Sequence, residues 1–122
     1  MKLATDDKEH PIPTNLRPIF EQIAAAFADG DYHLRSISVP EVAPIDDELA
    51  EFIGESIDGY GAVIAPLHPR VWDRSCYSRD VGGWGAIVDL TTEREKVSDL
   101  AMHAKITIDP SLQIEIWSVH VP

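Results

Sequence analysis

Residues 84–121 constrain the fold more than any other part of the chain. They read as three consecutive β-strands, and the last two pair residue by residue. The final hairpin turns at Asp109-Pro110-Ser111. Pairing Ile108 with Leu112 places Ile106 opposite Ile114 and Ala104 opposite Ile116, and it sets Lys105 against Glu115 and Thr107 against Gln113. A slip of one residue would turn every side chain to the other face, so a register that sorts apolar with apolar and base with acid is strongly specified. One face is then buried and the other wet. Continued along the strands, the register puts His103 opposite Trp117 and Ala101 opposite Val119 on the wet face. His120 falls across from Leu100, pointing away from His103. A tryptophan and a valine on a polar face mark a contact site or a patch covered by another part of the chain. Residues 31–45 are the candidate cover.

Upstream, Trp84, Ala86, Val88 and Leu90 alternate along a strand, and 71–79 suits an edge strand before it. Between the second and third strands, Thr92 and Glu95 have the spacing of a capping box, which predicts a single helical turn. Two helices precede the sheet. Leu16, Ile19, Phe20, Ile23, Ala24 and Phe27 recur at one-face helical spacing, with Thr14 or Asn15 as cap, Pro18 in the first turn and Gly30 as the stop. Asp46 offers an N-cap to a second helix carrying Leu49, Phe52, Ile53, Ile57, Tyr60, Ile64 and Leu67. The period keeps its phase, which favours one continuous helix. The alternative ends it at Gly59 and makes 62–65 a short buried strand. Residues 31–45 are extended or irregular, broken by Pro40 and Pro44, and 1–13 read as a loose, polar N-terminal arm.

The expectation is therefore an α+β fold: two N-terminal helices, with Phe20, Ile23, Phe27, Phe52, Ile53 and Ile57 facing inward, packed on a four-stranded antiparallel meander. With 122 residues, 44% of them hydrophobic, residues 14–122 suit a single domain with its own core. No apolar run approaches the ~18 residues that span a bilayer. One cysteine, Cys76, permits no intrachain disulfide, which fits a cytoplasmic protein.

The net charge of −11 is unevenly placed: residues 1–60 carry 13 acids and 4 bases, and residues 61–122 carry 8 acids and 6 bases. Such a chain repels nucleic acid and anionic membranes. Residues 41–58 hold seven acids and no base, and Asp47, Glu51, Glu55 and Asp58 form one stripe on the second helix. A solvated face normally mixes in lysines, because like charges one turn apart destabilise a helix. Either Arg70, Arg74 and Arg79 neutralise the stripe from the neighbouring edge segment, or it docks a basic protein, as immunity proteins and nuclease inhibitors do.

Catalytic and metal chemistry find little support. His10, His33, His68, His103 and His120 form no chelating spacing, so no metal is expected, and no cofactor motif is present. Cys76 lacks a Cys-His signature. Gly82-Gly83-Trp84-Gly85 precedes a strand instead of opening a helix, so it is a turn, not a phosphate loop.

The block DLTTEREKVSDL at 89–100, with the ending Val119-His120-Val121 and with Tyr60-Gly61 and Leu67, resembles a family of small uncharacterised bacterial proteins. The family pattern runs Asp-Leu, an aromatic, Thr and an acidic stretch to Ser-Asp-Leu, and ends near His-Val. Thr91 stands where Trp is expected, and Lys96 where Gly is expected. The resemblance spans residues 16–121 and implies a stand-alone α+β domain with a role in protein–protein recognition. Ser98, Asp99 and Asp89 are expected to fix the strand ends through backbone hydrogen bonds. A second, shorter likeness joins Phe27-Ala28-Asp29-Gly30-Asp31-Tyr32 to the first helix end of NTF2-like proteins. It implies a ligand or active-site pocket between helices and sheet, lined by Tyr60, Trp72, Trp84 and His120. The leading expectation is a non-enzymatic protein-binding module, using Asp47, Glu51, Glu55, Asp58, His103, Trp117 and Val119. A homodimer through an edge strand is a further possibility.

Overall fold

A computed structural model describes all 122 residues. In chain order the elements are β1 (His10–Pro11), α1 (Arg17–Ala28), α2 (Asp47–Tyr60), β2 (Ile64–Ala65), a 3-10 helix (Pro69–Asp73), β3 (Cys76–Asp80), β4 (Gly83–Asp89), β5 (Thr91–Thr92), β6 (Ala101–Thr107) and β7 (Gln113–His120). One sheet has the order β1-β3-β4-β6-β7, with every neighbouring pair antiparallel, and β2 pairs β5 in a small second sheet. The α+β class is as expected. The four-stranded meander is present as β3-β4-β6-β7, but the sheet has a fifth strand, supplied ahead of both helices.

That fifth strand comes from the segment read as a loose arm. Leu3 and Ile12 are buried, the Ala4 N–H donates to Tyr77 Oη (2.9 Å), and Trp84 Nε1–H donates to the Ala4 carbonyl (2.7 Å). Two isolated apolar residues in a polar stretch have no period to betray them. β1 covers the start of β3, where His10 faces Tyr77 and Pro11 faces Cys76. The expected edge strand at 71–79 begins only at Cys76, because Pro69 and its neighbours form the 3-10 helix.

α1 begins without a side-chain cap, Leu16 standing where Thr14 or Asn15 was expected, and Pro18 lies in its first turn. α2 starts as the sequence predicts: Asp46 Oδ1 accepts from the Leu49 N–H at 2.8 Å. The continuous helix to Leu67 is not formed. Gly61 takes φ +80°, the left-handed conformation that closes a helix at little cost for glycine, and Ile64–Ala65 then pairs with Thr91–Thr92. The competing reading, a short buried strand, is the observed one. The helical turn expected at Thr92–Glu95 is a bend, in which Thr92 Oγ1 accepts the Arg94 and Glu95 N–H groups.

Twenty-five buried residues form one cluster, in which Phe20, Ile23, Phe27, Ile53 and Ile57 are joined by Ala86, Val88, Met102, Ala104, Ile106, Ile114 and Ile116 from the sheet. Each large side chain stabilises by about 1.5–3 kcal/mol relative to exposure.

The hairpin keeps the expected register from Ala104↔Ile116 to Thr107↔Gln113, across an Asp109–Pro110 bond that is cis. The register shifts between His103 and Ala104, where β7 carries one extra residue, Trp117. Beyond it His103 faces Ser118, Met102 faces Val119, and Ala101 faces His120. This bulge overturns three expectations. Trp117 is not His103's partner, Val119 is a fully buried core residue, and His120 shares a face with His103. The segment 31–45 does not cover that face either. It runs along the free edge of β7, where the Ile114 N–H donates to the Glu41 carbonyl (2.7 Å) and the Ala43 N–H to the Ile114 carbonyl (2.9 Å).

Candidate functional site

Of the predicted contact residues, Asp47, Glu51, Glu55 and Asp58 lie on α2 and His103 and Trp117 on the outer face of the sheet, whereas Val119 is in the core. On α2 the core stripe is Ala50, Ile53 and Ile57. At ~100° per residue the opposite side collects Asp47, Glu51, Glu55 and Asp58, all exposed. The three arginines do not reach them. Arg74 donates through Nε to Asp89 Oδ2 (2.8 Å) and through Nη2 to the Ser98 carbonyl (3.0 Å). Arg70 pairs with Asp73 at 3.7 Å, and Arg79 donates to the Thr5 carbonyl at 3.5 Å. Asp47 hydrogen-bonds His33 Nε2 at 2.8 Å, whereas Glu48, Glu51, Glu55 and Asp58 have no ion-pair partner.

Phe52 belongs to this surface and not to the core, where its apolar character had placed it. It is 44% exposed. It stands one residue, or about 100°, off the Ile53 stripe, between Glu48 one turn before and Glu55 one turn after. The helical wheel holds that signal; counting apolar recurrences alone hides it.

The outer face of the sheet carries a groove of about 320 Å³. Its floor runs across Cys76, Ile87 and His103 in one row and Ser78 and Gly85 in the next, and Glu9, Arg79, Asp80 and Trp117 stand around it. Trp117 is 53% exposed, with Lys105 Nζ 5.5 Å from its ring centroid. His103 and His120 stack at 4.0 Å, and Ser118 Oγ lies 2.9 Å from His120 Nδ1. His103 Nε2 is buried with no hydrogen-bond partner. Burial, and then the neighbouring His120, push the His103 pKa down, so this imidazole favours the neutral form. Burial, then Glu9, push the Cys76 thiol up to about 11. Its Sγ donates to Glu9 Oε2 at 3.6 Å. A protonated thiol beside a carboxylate is a poor nucleophile, and Cys76 Sγ bonds Glu9 and not His103.

The residues of the Asp-Leu…Ser-Asp-Leu block hold strand ends together. Ser98 Oγ–H is shared between the Leu90 carbonyl (2.7 Å) and the Leu100 carbonyl (3.1 Å), and Ser98 Oγ lies 3.2 Å from the Leu100 N–H, which donates to it. Asp89 is buried under Arg74, whose second bond reaches Ser98. Tyr60 Oη accepts the Asp99 N–H (3.2 Å) and donates to Glu95 Oε1 (2.9 Å), which ties the end of α2 to the β5–β6 connection. Desolvation leads the causes that raise the Tyr60 pKa.

The four residues of the alternative pocket do not meet in one cavity. Tyr60 and His120 flank a shallow depression with Leu100 and Val121. Trp72 instead lies under the Arg17 guanidinium at 5.3 Å, and Trp84 is bonded to Ala4. The space between helices and sheet is filled by the core cluster. No group of three or more His, Cys, Asp or Glu side chains is placed to hold a metal ion, and no helix is long and apolar enough to cross a membrane.

Neither a curated protein nor a solved structure matches the chain. Residues 24–122, from the middle of α1 through β7, match the family described as a domain of unknown function (DUF7668), and the chain belongs to that family.

Proposed function

We propose that this domain is a protein-binding module that docks a basic partner on the acidic face of α2, in the manner of an inhibitor or immunity protein. One observation carries the reading: Phe52, a half-exposed aromatic, stands beside Glu48, Glu51 and Glu55, none of which has an ion-pair partner. Exposed aromatics at the centre of a charged surface are the usual anchors of protein interfaces, and a ring of acids around one selects a basic partner and speeds its approach. The unpaired stripe costs helix stability through like-charge repulsion, a cost that a partner's lysines and arginines would remove.

The test is quantitative affinity enrichment with wild type, with the charge reversal E51K/E55K and with F52A. A genuine partner is basic, is lost from both variants, and is released when salt rises from about 0.1 M to about 1 M, where the screening length falls from about 10 Å to about 3 Å. Retention of the same proteins by E51K/E55K would overturn the proposal.

A further inference from the structure

β4 carries two glycines on the same outer face, and they are there for different reasons. A Cβ on Gly83 would drive into the Ile106 carbonyl oxygen, so only glycine fits. Gly85 has no such neighbour. A Cβ there meets only Asp80 Oδ2, at an ordinary 3.8 Å, and its backbone is not in the left-handed region. Gly85 lies in an interior strand between β3 and β6, opposite Ser78 and Lys105. A glycine in such a place weakens the strand and leaves a gap on its surface, a pattern found where another molecule approaches the backbone. The gap at Gly85 is part of the floor of the outer-face groove.

The groove has the other parts of a small-molecule site. Its volume, about 320 Å³, is that of a small ligand pocket. The indole of Trp117 offers an exposed aromatic wall, and the His103 imidazole brings a buried nitrogen without a partner. Such a nitrogen is destabilising while unsatisfied, and a ligand that pairs it removes that cost. A modest turn about the last torsion of the side chain, which is broad for His, would present it to the groove.

We propose that this groove binds an uncharged planar heteroaromatic molecule of nucleobase size, laid over Gly85 and against Trp117, with its polar edge hydrogen-bonded to His103. The charges around the groove balance and leave no surplus cation for an anion: Glu9 and Asp80 stand against Arg79 and Lys105, whose Nζ lies 3.6 Å from Asp80 Oδ2 beside the Trp117 ring. A heteroaromatic edge carries donors and acceptors side by side, so it satisfies either tautomer of a neutral imidazole. The site is separate from the acidic face of α2 and does not depend on a protein partner.

The test uses the full chain, with adenine as the neutral planar probe and benzoate as the planar anion. Two-dimensional NMR follows the His103 and Trp117 side-chain signals, and thermal unfolding is recorded in parallel. Adenine is expected to saturate at millimolar concentration and to move both signals, and benzoate to move neither. G85V is expected to abolish adenine binding while leaving the melting temperature unchanged or higher, and W117A to weaken binding at least tenfold. No saturable shift with adenine overturns the proposal, as does tighter binding of benzoate. A fall in the melting temperature of G85V overturns the argument from Gly85, because it would make that glycine a packing requirement. W117A binding that matches wild type removes the stacking wall and overturns the site as described.

Discussion

His103 and His120 stack face to face, with ring centroids 4.0 Å apart and planes 12° from parallel. The contact exists because the bulge at Trp117 turns the end of β7 over, bringing His120 to the outer face. Burial desolvates the His103 ring and so disfavours its charged form, and the stacked His120 adds to this. The folded-state pKa of His103 is therefore below the ordinary 6.5. The unfolded chain takes up the proton at about 6.5, and the folded protein only at lower pH. This contribution to stability is complete above pH 6.5, and it is lost as pH falls from there towards the folded value. Urea unfolding of wild type and H103F across pH 5–8 should show the fall for wild type and a weaker pH dependence for the variant.

Phe52 and Ile53 are neighbours in sequence with opposite environments, 44% exposed against fully buried. F52S should cost less than about 1 kcal/mol, because little burial is lost, and it should improve solubility. I53A should cost about 2–5 kcal/mol through lost burial and a cavity. Chemical denaturation of the two variants separates them, and equal losses would place Phe52 in the core.

How far the sequence spoke for itself depends on where its patterns were interrupted. The hairpin register from Ala104 to Ile108 was legible because apolar alternation and one ion pair agreed. One extra residue at Trp117 carries no compositional mark, yet it turned Val119 inward and His120 outward. The helical period of α2 ran in phase past Tyr60, and only the left-handed turn at Gly61 converts Ile64 from helix to strand. Phe52 was misplaced because a helix one residue off its stripe looks the same to a count of apolar spacings. The acidic stripe itself was legible. That no arginine reaches it was not, because Arg74 is taken up by Asp89.

Arg74 and Ser98 together clasp the end of β4 to the start of β6. Asp89 is 7% exposed and its partner Arg74 59%, so the pair is only partly screened by water. R74M leaves the Asp89 carboxylate without its cation and should cost about 1–3 kcal/mol. S98A removes the hydroxyl that serves Leu90 and Leu100 at once and should cost a similar amount. Their double variant should lose less than the sum, because both act on one strand junction. A thermodynamic cycle measured by urea unfolding checks this, and strict additivity would deny the clasp.

Gly83 should be intolerant of any side chain. In G83A the new Cβ would meet the Ile106 carbonyl oxygen, and backbone cannot move aside as a flexible side chain can. The strand pairing at Gly83↔Asp80 would have to yield. A loss of about 1–3 kcal/mol is expected, as for other overpacked positions, and a melting curve indistinguishable from wild type would show the approach to be looser than drawn.

Cys76 should be sluggish towards alkylating agents. Burial first, and then the Glu9 carboxylate at 3.6 Å, hold the thiol pKa at about 11. The thiolate is the reacting species, so its fraction near neutral pH is far below that of a free cysteine, whose pKa is about 8.5. Iodoacetamide should therefore modify the native protein slowly at pH 7.5, at a rate that keeps climbing with pH instead of levelling off near 9. E9Q removes the neighbouring negative charge but leaves the burial. It should lower the pKa part of the way and raise the rate at pH 7.5, with the folded state intact. Mass-spectrometric alkylation kinetics on both proteins provide the check. A wild-type rate that already levels off below pH 9 would show that the thiol is exposed to solvent and free of Glu9.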